Sequence, residues 1–307
     1  MNKIAFIFPG QGSQYVGMGK ELYEKYDVIK NTYAEAEEAL GFDIAKMTFE
    51  SEDINKTEYT QPVLVTMGVA LMRLLQENGV NADMTAGLSL GEYAALVCGN
   101  VLTFKEAVSL VKKRGQFMQN CIPNGEWRMA AIIGLEDSVV ENVCKEINGF
   151  VKCANYNCPG QLVIAGEKSA IEEACSKLTE AGAKRAIMLN VTAPFHTAQL
   201  TEAKENLAKE LEKAEFKVFE IPVIKNIDGA PYTNEDNMSE ILSNHIVSSV
   251  RWKESVEYMI ANGVDTFIEL GPGKTLSGFV KKINKEVSVF NVENEETLNK
   301  VLEALKI

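Results

Sequence analysis

Gly87-Leu88-Ser89-Leu90-Gly91 constrains this chain more than any other stretch. A G-x-S-x-G run presents a serine on a sharp turn between a strand and a helix, so it needs an α/β layer to carry it. The flanks agree. Asn81 to Leu88 pass from a polar turn into a short apolar segment, and Glu92 to Val97 read as a helix. Ser89 is therefore the candidate nucleophile, set against the plainer reading that the glycines only allow a tight turn.

A chain of 307 residues exceeds the usual single-domain size, and one large domain carrying a smaller insert is the economical arrangement. With 46% apolar and 24% charged residues it belongs with ordinary globular proteins, which excludes disordered, collagen-like and repeat classes. The apolar run Ile4 to Phe8 is too short for a secretion signal and reads as a first strand, and no stretch approaches a membrane span. A formal net charge of −12 argues against nucleic acid as a partner. The six cysteines lack C-x-x-C spacing, which points to reduced thiols in a cytoplasmic protein. With two histidines in all, no metal centre is expected.

Thr60-Gln61-Pro62 predicts a helix start, with Thr60 as cap and apolar residues from Val63 to Leu75 at helical spacing. A second helix is expected from Thr103 to Cys121. Residues 126–190 spell strand, helix, strand, strand, helix, strand, the order of a ferredoxin-like unit, with Pro159-Gly160 as its hairpin turn. Because α/β alternation resumes on both sides, this unit reads as an insert in a parallel-sheet domain made of residues 1–125 and 191–307. Two further glycine-rich turns follow strands, at Pro9-Gly10-Gln11-Gly12 and at Gly271-Pro272-Gly273. Ligands of open α/β sheets bind at the carboxyl ends of strands, where the Gln11 and Ser89 turns can lie side by side.

A serine hydroxyl needs a general base within hydrogen-bond reach. His196 follows Pro194-Phe195 on a loop leaving the insert's last strand, a common position for a catalytic group. His245 lies near the end of an expected helix and reads better as a helix-terminus or core histidine. Acyl transfer also needs donors for an oxyanion; the elbow supplies the Leu90 backbone N–H, and Gln11 is available for the second. Arg114 can grip a carboxylate with two parallel hydrogen bonds, although in Lys112-Lys113-Arg114 the residues alone favour a solvated basic face.

Six stretches together resemble the malonyl-CoA:acyl carrier protein transacylase family, acyltransferases of fatty acid and polyketide synthesis. They are Phe8-Pro9-Gly10-Gln11-Gly12-Ser13-Gln14, Gly87 to Tyr93 of the elbow, Arg114-Gly115, Asn155-Tyr156-Asn157-Cys158-Pro159-Gly160-Gln161, Pro194-Phe195-His196 and Glu269-Leu270-Gly271-Pro272-Gly273. The resemblance spans nearly the whole chain in order. It implies an α/β-hydrolase-like large domain with a ferredoxin-like insert. It also implies Ser89 as nucleophile, His196 as base, Arg114 as malonyl carboxylate clamp, and Gln11 and Leu90 as oxyanion donors, with Phe195, Asn155 and Asn157 lining the site. The activity implied is ping-pong transfer of malonyl from malonyl-CoA, through Ser89, to the phosphopantetheine thiol of an acyl carrier protein bound transiently, with no bound cofactor. Phe195 resembles the malonyl-selective members, whose bulk there disfavours a branched methylmalonyl unit.

Two positions depart from the family's commonest pattern. Leu88 stands where a histidine often precedes the nucleophile. Ser249-Val250-Arg251-Trp252 matches Pro-Val-Gln-Trp, and the resemblance implies that the Arg251 backbone carbonyl orients His196. Lys184-Arg185 and Lys281-Lys282 are candidate docking residues for an acidic carrier, against ordinary solubilising surface. The rival readings are a trans-acting polyketide acyltransferase, a serine hydrolase such as a thioesterase, and a non-catalytic acyl-CoA or carrier-protein binding module.

Overall fold

A computed structural model describes residues 3–307; Met1 and Asn2, counted in the expected large domain, lie outside the described residues. In chain order the strands are β1 (Ile4–Phe8), β2 (Met84–Gly87), β3 (Trp127–Ile133), β4 (Val151–Cys158), β5 (Gln161–Glu167), β6 (Arg185–Met188), β7 (Val223–Ile224), β8 (Thr266–Leu270) and β9 (Ser288–Val292). They form two sheets. One is parallel, in the order β7-β2-β1-β8-β9; the other is antiparallel, in the order β4-β5-β3-β6.

The central strands of the parallel sheet are buried without alternation because helices cover both faces, and β1 is apolar throughout. Along β1, Phe6 and Phe8 point into one core with the helix Thr57–Glu77, while Ala5 and Ile7 point into another with Trp252, Met259 and Phe279. The antiparallel sheet obeys the same two-residue period. Ala130, Ile132, Leu162 and Ile164 pack beneath the helices Asp137–Glu146 and Lys168–Glu180. Met129, Ala131 and Val163 face the other way, toward Phe195 and the parallel-sheet body. A short bridge ties the two parts together: Tyr156 N–H donates to the Val250 carbonyl at 2.8 Å and Val250 N–H to the Ala154 carbonyl at 2.9 Å.

Two local expectations change. The helix expected to start at Thr60 begins at Thr57, and Pro62 lies inside it. Thr60 is not its cap; the hydroxyl donates to the Ile54 carbonyl at 2.5 Å and the Lys56 carbonyl at 3.0 Å. The missing Pro62 N–H costs one intrahelical bond, and the burial of the whole segment from Thr60 to Met72 outweighs that loss. The strand expected over residues 221–226 shrinks to Val223–Ile224, because Lys225 N–H turns to the Ala230 carbonyl and the chain folds back on itself. The second helix forms as expected, Phe104–Asn120, with Thr103 and Glu106 making a capping box.

Candidate active site

All strands of the parallel sheet run the same way, so the turns leaving β1, β2 and β8 meet at one edge. Their contacts leave no room for side chains at four of the glycines. A Cβ on Gly87 would lie 1.9 Å from the Gly91 carbonyl carbon, and one on Gly91 2.3 Å from the Phe8 oxygen. A Cβ on Gly10 would meet the Leu88 oxygen at 2.8 Å, and one on Gly271 the Pro9 ring at 2.5 Å. The elbow glycines are thus required by close approach of backbones, not by their own dihedrals. Ser89 itself carries the strain, with φ of 55°.

The turn is held open by a residue the sequence reading missed. Asn226, just past β7, accepts from Ser89 N–H at 2.8 Å and donates to the Gly87 carbonyl at 2.6 Å. Nothing near it in sequence signals this role, because the contact spans 137 residues.

Ser89 Oγ lies 2.8 Å from His196 Nε2. His196 Nδ1 lies 3.0 Å from the His245 backbone carbonyl. A carbonyl only accepts, so Nδ1 carries the proton and Nε2 presents a lone pair to the serine hydroxyl. This corrects the expectation for Arg251. Its carbonyl is taken by Ser255 N–H at 3.0 Å and Ser255 Oγ at 2.9 Å, at the start of the helix Trp252–Ala261. Its guanidinium instead stacks over the Tyr156 ring of β4, 4.0 Å from the centroid. His245 ends the helix Met238–His245, as expected, and its carbonyl faces His196 Nδ1.

Arg114 is 1% exposed, which overturns the solvated-face reading, whereas the neighbouring Lys113 does sit at the surface, paired with Glu210. The guanidinium donates to Ser89 Oγ at 3.2 Å and to Gln61 Oε1 at 2.9 Å, and its Nε is buried without a protein partner. Gln61 was also missed; a glutamine at the head of the apolar run Pro62 to Val65 was the available signal. Among the described residues neither Leu90 nor Gln11 N–H donates to a protein acceptor, while Ser89 N–H is already committed to Asn226. Both free donors belong to turns that touch, as an oxyanion site requires.

These groups line a cleft of about 560 Å³ between the two sheets, whose walls include Gln11, Ser89, Leu90, Arg114, Asn155, Asn157, Phe195 and His196. Asn157 Oδ1 is buried there without a partner. Arg251 does not reach it. Among the described residues no group of histidine, cysteine and carboxylate side chains is arranged to hold a metal ion, and no helix is long and apolar enough to cross a membrane.

Burial holds the His196 imidazole well below its ordinary pKa, helped by the nearby His245 and Arg114. A depressed imidazole pKa keeps the ring neutral, and so able to act as a base, at pH values where a free histidine is already half protonated. Acylation of Ser89 is therefore expected to show no inflection near pH 6.5 and to fall only in more acidic solution. A pre-steady-state acylation profile with its midpoint near 6.5 would contradict this.

Residues 5–301 match the family model described as acyl transferase domain. The chain is 43% identical over 311 residues to the malonyl CoA-acyl carrier protein transacylase of Bacillus subtilis, covering 100% of this chain and 98% of that protein. It is 46% identical over 288 residues to the protein of that name from Escherichia coli, covering 92% and 93%. Among solved structures, the malonyl CoA-acyl carrier protein transacylase from Clostridium perfringens aligns with a TM-score of 0.96 at 43% identity, over 99% of this chain and 97% of that one. A malonyl-transacylase in complex with a type II PKS acyl-carrier protein aligns with a TM-score of 0.94 at 40% identity, over 98% and 99%. With its elbow, imidazole and buried arginine gathered at one cleft and both kinds of relative matched end to end, the chain belongs to the acyl transferase domain family.

Proposed function

We propose that this protein transfers malonyl from malonyl-CoA to the phosphopantetheine thiol of an acyl carrier protein. The observation that carries the reading is a buried guanidinium 3.2 Å from a serine Oγ that is itself 2.8 Å from an imidazole. A hydrolase of simple esters has no use for that cation, and a binding module has no use for the serine–histidine pair.

The reaction runs in two balanced halves. Ser89 Oγ attacks the thioester carbonyl as its proton passes to His196 Nε2, and the oxyanion is met by the N–H groups of Leu90 and Gln11. Collapse expels CoA, whose sulfur takes the proton from His196. The carrier thiol then gives its proton to His196 and attacks the malonyl ester, and Ser89 leaves with that proton. Arg114 holds the malonyl carboxylate throughout, and Phe195, beside His196 in the cleft, narrows the space for a branched unit.

In this reading the body, residues 1–125 and 191–307, is α/β-hydrolase-like and residues 126–190 are a ferredoxin-like insert. The antiparallel order β4-β5-β3-β6 with two helices on one face supports the second assignment. Six cysteines without disulfides support a cytoplasmic setting. One residue of each basic pair lies at one end of residues 126–190, whereas Lys281 donates to the Lys285 and Val287 carbonyls. Lys184 packs on Gly134 beside the Pro159-Gly160 turn, and Lys282 donates to Gln161, which lines the cleft. That rim suits an acidic carrier despite the negative net charge.

Mass spectrometry after brief exposure to malonyl-CoA, then to carrier protein bearing phosphopantetheine, tests the reading. A malonyl adduct on Ser89 that moves to the carrier is expected. Loss of the adduct to water before carrier is added would make the chain a hydrolase, and no adduct at all would leave a binding module.

A further inference from the structure

We propose that Glu92 is a positioning residue shared by both halves of the catalytic pair, fixing the Ser89 amide through Asn226 and the His196 ring through His245. Glu92 sits one residue past the elbow on the helix Gly91–Cys98, whose buried neighbours Tyr93, Ala94, Ala95 and Leu96 are all apolar or aromatic. It is 1% exposed, and among the described residues no lysine or arginine pairs with it. A carboxylate so placed is costly unless its partners are organised around it.

Those partners lead in two directions. Oε1 accepts from Asn226 N–H at 3.1 Å and from the Tyr232 hydroxyl at 2.8 Å. The same Asn226 grips Ser89 N–H and the Gly87 carbonyl with its side chain. Oε2 makes no hydrogen bond but approaches Nδ1 of His245, which is 2% exposed, to 2.8 Å, a close contact between carboxylate and ring, and the His245 carbonyl takes the His196 Nδ1 proton. The His245 ring also lies behind His196, centroids 5.0 Å apart.

Both ends of this path are strained. Ser89 and His196 have φ of 55° and 60°, and the other non-glycine residues in that region among those described are Asn100 and Lys306, both just past helix ends. Strained backbone persists only where its surroundings over-determine it. Among the described residues, Glu92 is tied at one remove to both strained residues, through Asn226 to Ser89 and through His245 to His196. A nucleophile and base that must stay within hydrogen-bond reach through two half-reactions need such a common anchor, since a displacement of about 1 Å costs on the order of 100-fold in rate.

The inference rests on the malonyl-transfer reading, and its test separates the two. Glu92→Gln keeps the shape and removes the charge. We expect kcat for malonyl transfer to fall about 10- to 100-fold with KM for malonyl-CoA within about threefold, the split expected of a group that orders the reacting atoms without touching substrate. We also expect the His196 Nδ1–H resonance to move in ¹⁵N-labelled protein, where two histidines make assignment direct. A variant with lowered Tm but with kcat and the His196 resonance unchanged would reduce Glu92 to fold support and overturn the inference. Should Glu92→Gln fail to fold, Tyr232→Phe deletes one donor to Oε1; a three- to tenfold loss of kcat with the same resonance shift supports the proposal, and no change in either overturns it. Wild-type protein that transfers no malonyl would sink the transfer reading alone, because the His196 resonance still reports on Glu92.

Discussion

Ser89→Ala is expected to lower malonyl transfer by about 10⁴- to 10⁶-fold, the scale seen when a nucleophile is removed from a cooperating pair. The loss should fall almost wholly on chemistry. The Asn226 bond to residue 89 uses the backbone N–H and survives the change, and alanine tolerates the left-handed φ no worse than serine. The Arg114 bond to Gln61 and the free N–H groups of Leu90 and Gln11 are untouched. Calorimetric affinity for malonyl-CoA should therefore stay within about threefold while the covalent adduct disappears. Persistent adduct formation in the variant would place the nucleophile elsewhere and defeat the mechanism proposed for this site.

Arg114→Ala should cut kcat/KM for malonyl-CoA by about 10²- to 10³-fold, the effect of removing one member of a desolvated, charge-assisted pair. The free guanidinium already spends single bonds on Gln61 and Ser89, and its buried Nε has no protein partner, so donors remain for a carboxylate. Acetyl-CoA has no carboxylate to lose, and any acylation of Ser89 by it should be unchanged or faster in the variant. Arg114→Lys should recover only part of the activity, because a point charge lacks the planar pair of donors. Equal losses for malonyl-CoA and acetyl-CoA would show that Arg114 supports the fold or the serine, and not substrate choice.

The legible parts of this protein are those whose signals are local. The period of apolar residues gave away the insert's strands and helices, and the spacing of Gly87, Ser89 and Gly91 announced a strand, a turn and a helix. Even here the boundaries moved where burial outweighed a local signal, as at Thr60 and Pro62. His196 was legible because few histidines competed for the role and one followed a proline at the exit of a strand. Arg114 was not legible from its neighbours, since three consecutive basic residues look alike until a helix turns one inward and two outward.

The chain alone therefore determined a mixed α/β fold, the strand and helix order of its antiparallel sheet, a serine elbow and a histidine to face it, because each depends on a few contiguous residues obeying backbone sterics and hydrophobic periodicity. Tertiary structure alone decided which carbonyl holds His196, which asparagine pins Ser89 and which arginine enters the cleft. His245, Asn226 and Gln61 lie 49, 137 and 53 residues from the groups they bond. Such pairings are chosen by the packing of the two sheets and their helices, which must bring most buried donors to an acceptor, and no local pattern encodes that choice.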